Sequence, residues 1–199
     1  MSEEKYETNE VGQDNQEQVF CYERDFYVFS NFSAFQLVWR DERFPTSEHA
    51  YQYESFVPIV KIENIDESTT DDKNTIVKSA VVGMSLQDVI DGSLVRTRIR
   101  KAPSAHIAFK IAQENKHLQD TQWPDVKFER MKTILKAKAE QHEYVMRKLE
   151  QSGDREIVED SWRDSTWGWG ENRQGDNLLG QAWMEVREEL LGVPVPKPR

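Results

Sequence analysis

The sequence predicts an α+β fold, a helix-rich single domain with a small antiparallel or mixed β-sheet. Three observations predict it. Apolar residues recur with helical period over several long stretches, only three short runs are aromatic and β-branched, and 199 residues suit one domain with short tails.

The elements follow in chain order. Residues 18–22 and 35–39 are the first two strand runs, and Arg40-Asp-Glu-Arg43 turns the second toward Phe44-Pro45. Thr46 or Ser47 then caps a helix that begins after Pro45. Two short helices are expected over 73–82, ending at Gly83, and over 86–91, opened by the capping-box-like Ser85-Leu-Gln-Asp88. Ser104 caps a helix over 105–116 that turns Ile107, Ala108 and Ile111 inward. Pro124 precedes a long helix over 125–150, whose Phe128, Met131, Leu135, Ala139, His142, Met146 and Leu149 share a face. Residues 156–159 form a third strand. The last helix, 177–191, carries Leu179, Ala182, Trp183, Val186 and Leu190 on one side; Asp176 or Asn177 caps it and Gly192 stops it.

Residues 1–18 are almost wholly polar and acidic, which predicts a disordered tail, because too little apolar surface is available to offset ordering entropy. Three prolines in 193–199 mark a second tail. The net charge is −10, a poor match to a general nucleic-acid or anionic-membrane binder, though a local basic pocket for one phosphorylated ligand remains compatible. No stretch reads as a membrane span or signal peptide. A single cysteine, Cys21, leaves no internal disulfide. Together these features predict a cytoplasmic protein. The four histidines show no metal spacing, so neither a metal nor a cofactor is expected.

Two segments could carry chemistry. In Phe44-Pro-Thr-Ser-Glu-His-Ala-Tyr-Gln-Tyr53, Glu48 lies in the first helical turn. The plainer reading is that it complements the helix dipole, and on the residues alone that reading is favoured. The functional reading makes it a base or nucleophile kept ionised by exposed N–H groups. Tyr51 and Phe56 read as core. The second segment, 160–180, holds Trp162, Trp167 and Trp169 among glycines without helical or strand period, with Asp164 among them. It reads as an ordered loop lining a cleft, its rings stacking on a planar base, or alternatively as a plug at one end of the core. The turn over 175–180 leads into the last helix, whose N-terminus is a weak anion-site signal. Arg96, Arg98, Arg100 and Lys101 form a modest basic cluster.

Taken in order, these segments resemble the NADAR (YbiA-like) family. Phe29-Ser-Asn-Phe32 resembles its early Ser-Asn-Phe motif, and Phe44-Pro-Thr-Ser-Glu-His-Ala-Tyr-Gln52 its central Pro-Thr-Ser-Glu-His motif. Ala108-Phe-Lys-Ile-Ala-Gln113 matches a helix segment more loosely. Trp123, Lys136-Ala-Lys-Ala-Glu-Gln-His142, Ile157-Val-Glu159, Asp164-Ser-Thr-Trp-Gly168 and Gly175-Asp-Asn-Leu-Leu-Gly180 follow, with Met184 and Arg187. The resemblance runs from about 20 to 191. It implies a helix-rich fold and an N-glycosidase acting on ribose derivatives. The implied substrates are ADP-ribosylated guanine, free or in a modified nucleic acid, and phosphorylated ribosylamine intermediates of riboflavin synthesis. The implied partner is thus a small ribose nucleotide or an ADP-ribosylated base, with no membrane partner; the oligomeric state is left open. The alternative is a non-catalytic module that binds ADP-ribose or a nucleotide.

By this resemblance Glu48 and Asp164 are the catalytic pair. Trp123 and Trp167 wall the base, and Asn31, Asn177 and the turn to Gly180 hold hydroxyls or phosphate. Phe32, Ser47, His49, Gln52, Lys110 and Gly168 complete the expected substrate-binding set. The chain departs from the family at Ser55, where members often carry lysine, and at Ala112-Gln113, where they carry Gly-Arg. Residues 57–98 read as an insertion over the pocket.

Overall fold

In a computed structural model the described residues are 12–21, 25–58 and 84–196. Among the described residues there are six α-helices and four three-residue strands: β1 (Gln18–Phe20), β2 (Leu37–Trp39), β3 (Glu42–Phe44), α1 (Ser47–Glu54), α2 (Leu86–Arg100), α3 (Ala105–Glu114), α4 (Trp123–Gln141), α5 (Glu143–Gln151), β4 (Glu156–Val158) and α6 (Leu178–Leu191). The strands form two separate pairs. β1 runs parallel to β4, Val19 opposite Ile157, and β2–β3 is an antiparallel hairpin. Its turn places Arg40 and Asp41 at positive φ, 49° and 65°, the left-handed pair that a two-residue hairpin turn requires. The three expected strand runs hold β1, β2 and β4, but the turn expected over 40–43 is confined to Arg40 and Asp41, and Glu42–Phe44 form a fourth strand that pairs back on β2.

Capping decides the helix starts. Thr46, Ser85 and Ser104 each accept a backbone N–H from the residue three positions on, and Ser85 with Asp88 forms the full capping box. Two helices differ from expectation. The helix from Ser85 continues through Gly92 to Arg100 because Val95 and Ile99 pack into a second core with Phe56, Ala102, Ala108, Ala112 and Leu118. That burial outweighs the cost of glycine, about 1 kcal/mol. The long helix is instead two. His142 takes an extended conformation (φ −131°, ψ 102°), its ring Nε2 bonds the Gln36 carbonyl at 2.7 Å, and Phe35 lies edge-on to it. Side-chain anchoring to the β2 strand's approach breaks the helical run.

The main core gathers α4, α6, β1 and β4 around Trp183, Phe29, Leu135, Ile134 and Ile157. The Trp183 indole N–H donates to the Phe29 carbonyl at 2.7 Å. Glu54, at the end of α1, is bridged by Arg40 and Arg130 at 3.4 and 3.2 Å, linking hairpin, α1 and α4. Residues 12–18, placed in the tail by composition, hold onto the domain. The Asp14 carboxylate accepts the Phe20 N–H, Asn15 accepts those of Glu17 and Gln18, and the Gly12 N–H meets Asp160. Short polar residues serve here as caps for the β1 edge, a use that composition does not reveal. The rest of that tail call, the helix expected over 73–82 and most of the proposed insertion lie outside the described residues. No described helix is long and apolar enough to cross a membrane.

Candidate active site

The site is built where the N-terminus of α1 meets the loop that joins β4 to α6. Thr46 sets the start of α1 twice over. Its hydroxyl oxygen accepts the His49 N–H, and it lies 2.8 Å from His49 Nδ1. His49 Nε2 is 3.1 Å from the Ala102 carbonyl, which can only accept. The imidazole therefore carries its proton on Nε2 and receives the Thr46 hydroxyl proton on Nδ1, and burial keeps its pKa below the ordinary value. His49 thus ties α1 to the connection between α2 and α3 and is not free for a substrate. Thr46→Ala removes both bonds. It is expected to lower stability by about 1–2 kcal/mol, read as a lower urea midpoint, with Thr46→Ser restoring most of it.

This anchoring aims Glu48. Its backbone N–H donates to the Asn31 carbonyl at 3.1 Å, and its carboxylate accepts the Gln52 amide at 2.8 Å, one turn along. Glu48 is 5% exposed, and burial, with the charge of Asp164 adding to it, pushes its pKa up to about 7. A helix-dipole ornament belongs on the surface; a buried carboxyl poised near neutrality belongs in a site. Beside it, Asn31 Oδ1 and Ser47 Oγ are buried without hydrogen-bond partners among the described residues. Buried polar atoms left in this state cost about 1–3 kcal/mol each.

Asp164 comes from the opposite wall. Its Oδ1 accepts the N–H groups of Thr166 and Trp167 at 2.8 and 2.9 Å, a turn that presents the carboxylate half-buried. An aromatic wall joins the two acids. Tyr51 sits 4.9 Å from Trp123 and 5.3 Å, edge-on, from Trp167. Burial and the charges of Glu48 and Asp164 drive the Tyr51 hydroxyl pKa far up, so it stays a neutral donor. Tyr51, read from the sequence as core, is buried in the main core, where its hydroxyl is coupled to both acids.

The loop over 159–179 has no regular structure yet is closely bonded. The N–H groups of Gly175, Asp176, Asn177, Leu178 and Leu179 go to the carbonyls of Trp169, Ser165, Gly168, Thr166 and Trp167. The loop itself thus takes up the N–H groups that lead into α6 and the first two of the helix. Asn177 takes a left-handed conformation, accepts the Glu159 N–H at 2.9 Å and donates to the Ile157 carbonyl at 2.9 Å. A Cβ on Gly180 would lie 1.9 Å from the Ile157 carbonyl, and one on Gly168 would lie 2.9 Å from two carbonyls. Asn177, Gly168 and Gly180 hold the loop closely against β4 and against its own turns. Of the three loop tryptophans, only Trp167 reaches Tyr51. Trp169 packs on Phe20 and donates to Asp160 at 2.7 Å, and Trp162 is exposed beneath Arg163. Arg163 and Trp162 line a separate shallow depression with Ser165 and Gly170.

Lys110 does not join the site. It is exposed on α3 and pairs only loosely with Glu114, at 3.9 Å, because Ala108 and Ala112 occupy the inward face. Phe32, next to Asn31, is 47% exposed. Ser55, at the lysine position of the resemblance, is buried and bonds the Gln52 carbonyl and the Gln119 amide. Among the described residues no cluster of three or more His, Cys, Asp or Glu could hold a metal.

Fold and site together define a small α+β protein in which the buried Glu48 and the half-buried Asp164 lie within electrostatic reach of each other beside Tyr51, Trp123 and Trp167. A model of the NADAR domain matches residues 84–191, and the chain belongs to the NADAR family. It is similar to the N-glycosidase YbiA of Escherichia coli, 28% identical over 166 residues, which cover 83% of this chain and 82% of that protein. An N-glycosidase of Nostoc punctiforme is 28% identical over 162 residues, 81% of this chain and 84% of that one. The chloroplastic riboflavin biosynthesis protein PYRR of Zea mays is 28% identical over 172 residues, covering 84% of this chain and 24% of the larger protein. The NMR structure of Escherichia coli YbiA superposes with a TM-score of 0.64 at 26% identity, over 92% of this chain and 89% of that one.

Proposed function

We propose that the chain is a cytoplasmic N-glycosidase that hydrolyses a ribose N-glycosidic bond. Its substrate is a phosphorylated ribosylamine intermediate of riboflavin synthesis or an ADP-ribosylated guanine. The observation that carries this reading is the electrostatically coupled pair Glu48 and Asp164, both also coupled to Tyr51, whose ring packs on Trp123 and Trp167. Relatives named as N-glycosidases and as riboflavin biosynthesis proteins support the class.

Cleavage passes through an oxocarbenium-like sugar. The C1′–N bond breaks, its electron pair leaves with the base, and water attacks C1′. Glu48, buried with a pKa of about 7, takes the water proton as the water bonds to the sugar, and that proton passes on to the nitrogen of the departing base, so the base leaves neutral and Glu48 returns to its starting form. Asp164, held by two backbone N–H groups, lends negative charge to the sugar cation. The aromatic wall stacks on the departing base, and Asn31 Oδ1 and Ser47 Oγ receive ribose hydroxyls. Mass spectrometry of reactions with both substrate panels tests this: free base released from one panel names the substrate. Unchanged substrate that nevertheless binds by calorimetry would replace the reading with that of a binding module.

A further inference from the structure

The depression beside Trp162 and Arg163 is not used by the hydrolysis. Its volume is about 450 Å³, within the range that holds small molecules, and Ser165, Gly170, Glu171 and Asn172 complete its lining. The chain around it is closely bonded. The Gly170 N–H donates to the Ser161 carbonyl at 3.0 Å, and the Ser165 carbonyl accepts the Asp176 N–H at 2.8 Å. Gly170 has a φ of 69°, and a Cβ there would lie 3.0 Å from the Ser165 Cβ, so glycine lets these two turns approach this closely.

The lining offers groups that the fold does not consume. Trp162 is 40% exposed, although the Arg163 guanidinium lies 4.5 Å from its ring centroid. That contact holds the guanidinium by its face and uses none of its N–H groups. Among the described residues no carboxylate pairs with Arg163. A planar fork of free donors matches a phosphate. An exposed indole matches a nucleobase, since every base has a π-face. Asn172 Oδ1 accepts the Gln174 N–H at 3.1 Å, which leaves its amide NH₂ for a ligand. The Glu171 carboxylate only accepts, so it suits the amino edge of a base and repels a second phosphate.

Position in the chain ties the depression to the reacting pair. Trp162, Arg163 and Ser165 lie within two positions of Asp164, and consecutive Cα atoms stand about 3.8 Å apart. The Asp164 carboxylate itself turns to the Thr166 and Trp167 N–H groups and is coupled to Glu48 and Tyr51. A substrate with a nucleotide beyond the reacting ribose can therefore occupy both places.

We propose that this depression is a second subsite of the glycosidase. It takes one nucleoside phosphate beyond the ribose whose bond is cleaved, with the phosphate on Arg163, the base against Trp162 and its amino edge toward Glu171. This inference rests on the functional reading above. The unit has two chemical sources: the second nucleotide of the substrate itself, or the neighbouring nucleotide of a strand that carries the ribosylated base.

The test has two arms. Adenosine 5′-diphosphate is titrated into the ¹⁵N-labelled protein, with the six indole N–H signals assigned through single Trp→Phe variants. The Trp162 signal is expected to shift saturably, and Arg163→Glu to weaken that binding roughly tenfold. A Trp162 signal that stays in place, whichever others move, overturns the proposal. In the second arm KM and kcat are measured for Trp162→Ala, whose exposed side chain leaves the melting temperature unchanged. KM is expected to rise roughly tenfold. A rise on ADP-ribosylated guanosine assigns the subsite to the substrate's own second nucleotide, and a rise only within an oligonucleotide assigns it to the flanking one. No rise on either, or an equal rise on the phosphorylated ribosylamine, which has no second nucleotide, overturns the proposal. A wild type that releases no base, with the Trp162 signal still responding to the diphosphate, sinks the glycosidase reading and leaves the nucleotide site standing.

Discussion

Glu48→Gln is expected to lower base release by about 10²- to 10⁴-fold, the usual contribution of a positioned proton acceptor, and to make the protein more stable at pH 8. The amide cannot take a proton from water, yet its oxygen still accepts the Gln52 amide now 2.8 Å from Glu48 Oε1. The stability gain follows from the raised pKa. The folded state binds the Glu48 proton more tightly than the unfolded chain, so its contribution is complete below about pH 4.5 and is lost as pH climbs through about 7. At pH 8 the wild type bears that loss in full and the variant does not. The gain is on the order of 3 kcal/mol as an upper bound, read as a raised melting temperature, and it vanishes near pH 4. A variant that is inactive and destabilised at pH 8 would place Glu48 among framework residues.

Gly180→Ala is expected to be among the most damaging single substitutions in the fold. Its Cβ would stand 1.9 Å from the Ile157 carbonyl and 2.5 Å from the Asn177 amide nitrogen, and neither neighbour has room to yield. Ile157 is a main-chain atom of β4, and the Asn177 side chain is held between Ile157 and Glu159. Relief requires α6 to lift off β4, at a cost of about 3 kcal/mol or more. Because the same clamp holds the loop carrying Asp164, activity is expected to fall with stability in chemical denaturation and turnover assays. Gly153→Ala is the control: no atom lies within 4 Å of the added carbon, and only its positive φ of 58° opposes it, at about 1 kcal/mol.

Much of this architecture is legible in the sequence because its signals are local. Ser85, Ser104 and Thr46 announce helix starts by capping chemistry, and the aromatic runs announce strands. Long-range contacts account for what is not legible. Nothing near His142 foretells a break, since its cause is the Gln36 carbonyl, 106 positions away. The parallel pairing of β1 with β4 joins segments 138 positions apart, and no local pattern encodes it. In the site, Glu48, Asp164, Trp123 and Trp167 are reached through motif resemblance and converge. His49, Asn177, Gly168 and Gly180 belong to the same motifs and make structural contacts, because a motif records which residues recur and not what each one touches. Glu159, Tyr51 and Lys138 lie in quoted segments, yet the electrostatic setting of each is not legible there, for a related reason. Their importance lies in burial and in the charges around them, both products of tertiary packing.

Release of free base from a ribosylated substrate, followed by mass spectrometry with wild type and Glu48→Gln side by side at pH 7.5, tests the account's central claim most directly. The account predicts a free base and a matching sugar product with wild type from at least one of the phosphorylated ribosylamine and ADP-ribosylated guanine panels, and almost none with the variant. Equal release by both proteins would contradict the role of Glu48, and release by neither would contradict the glycosidase itself.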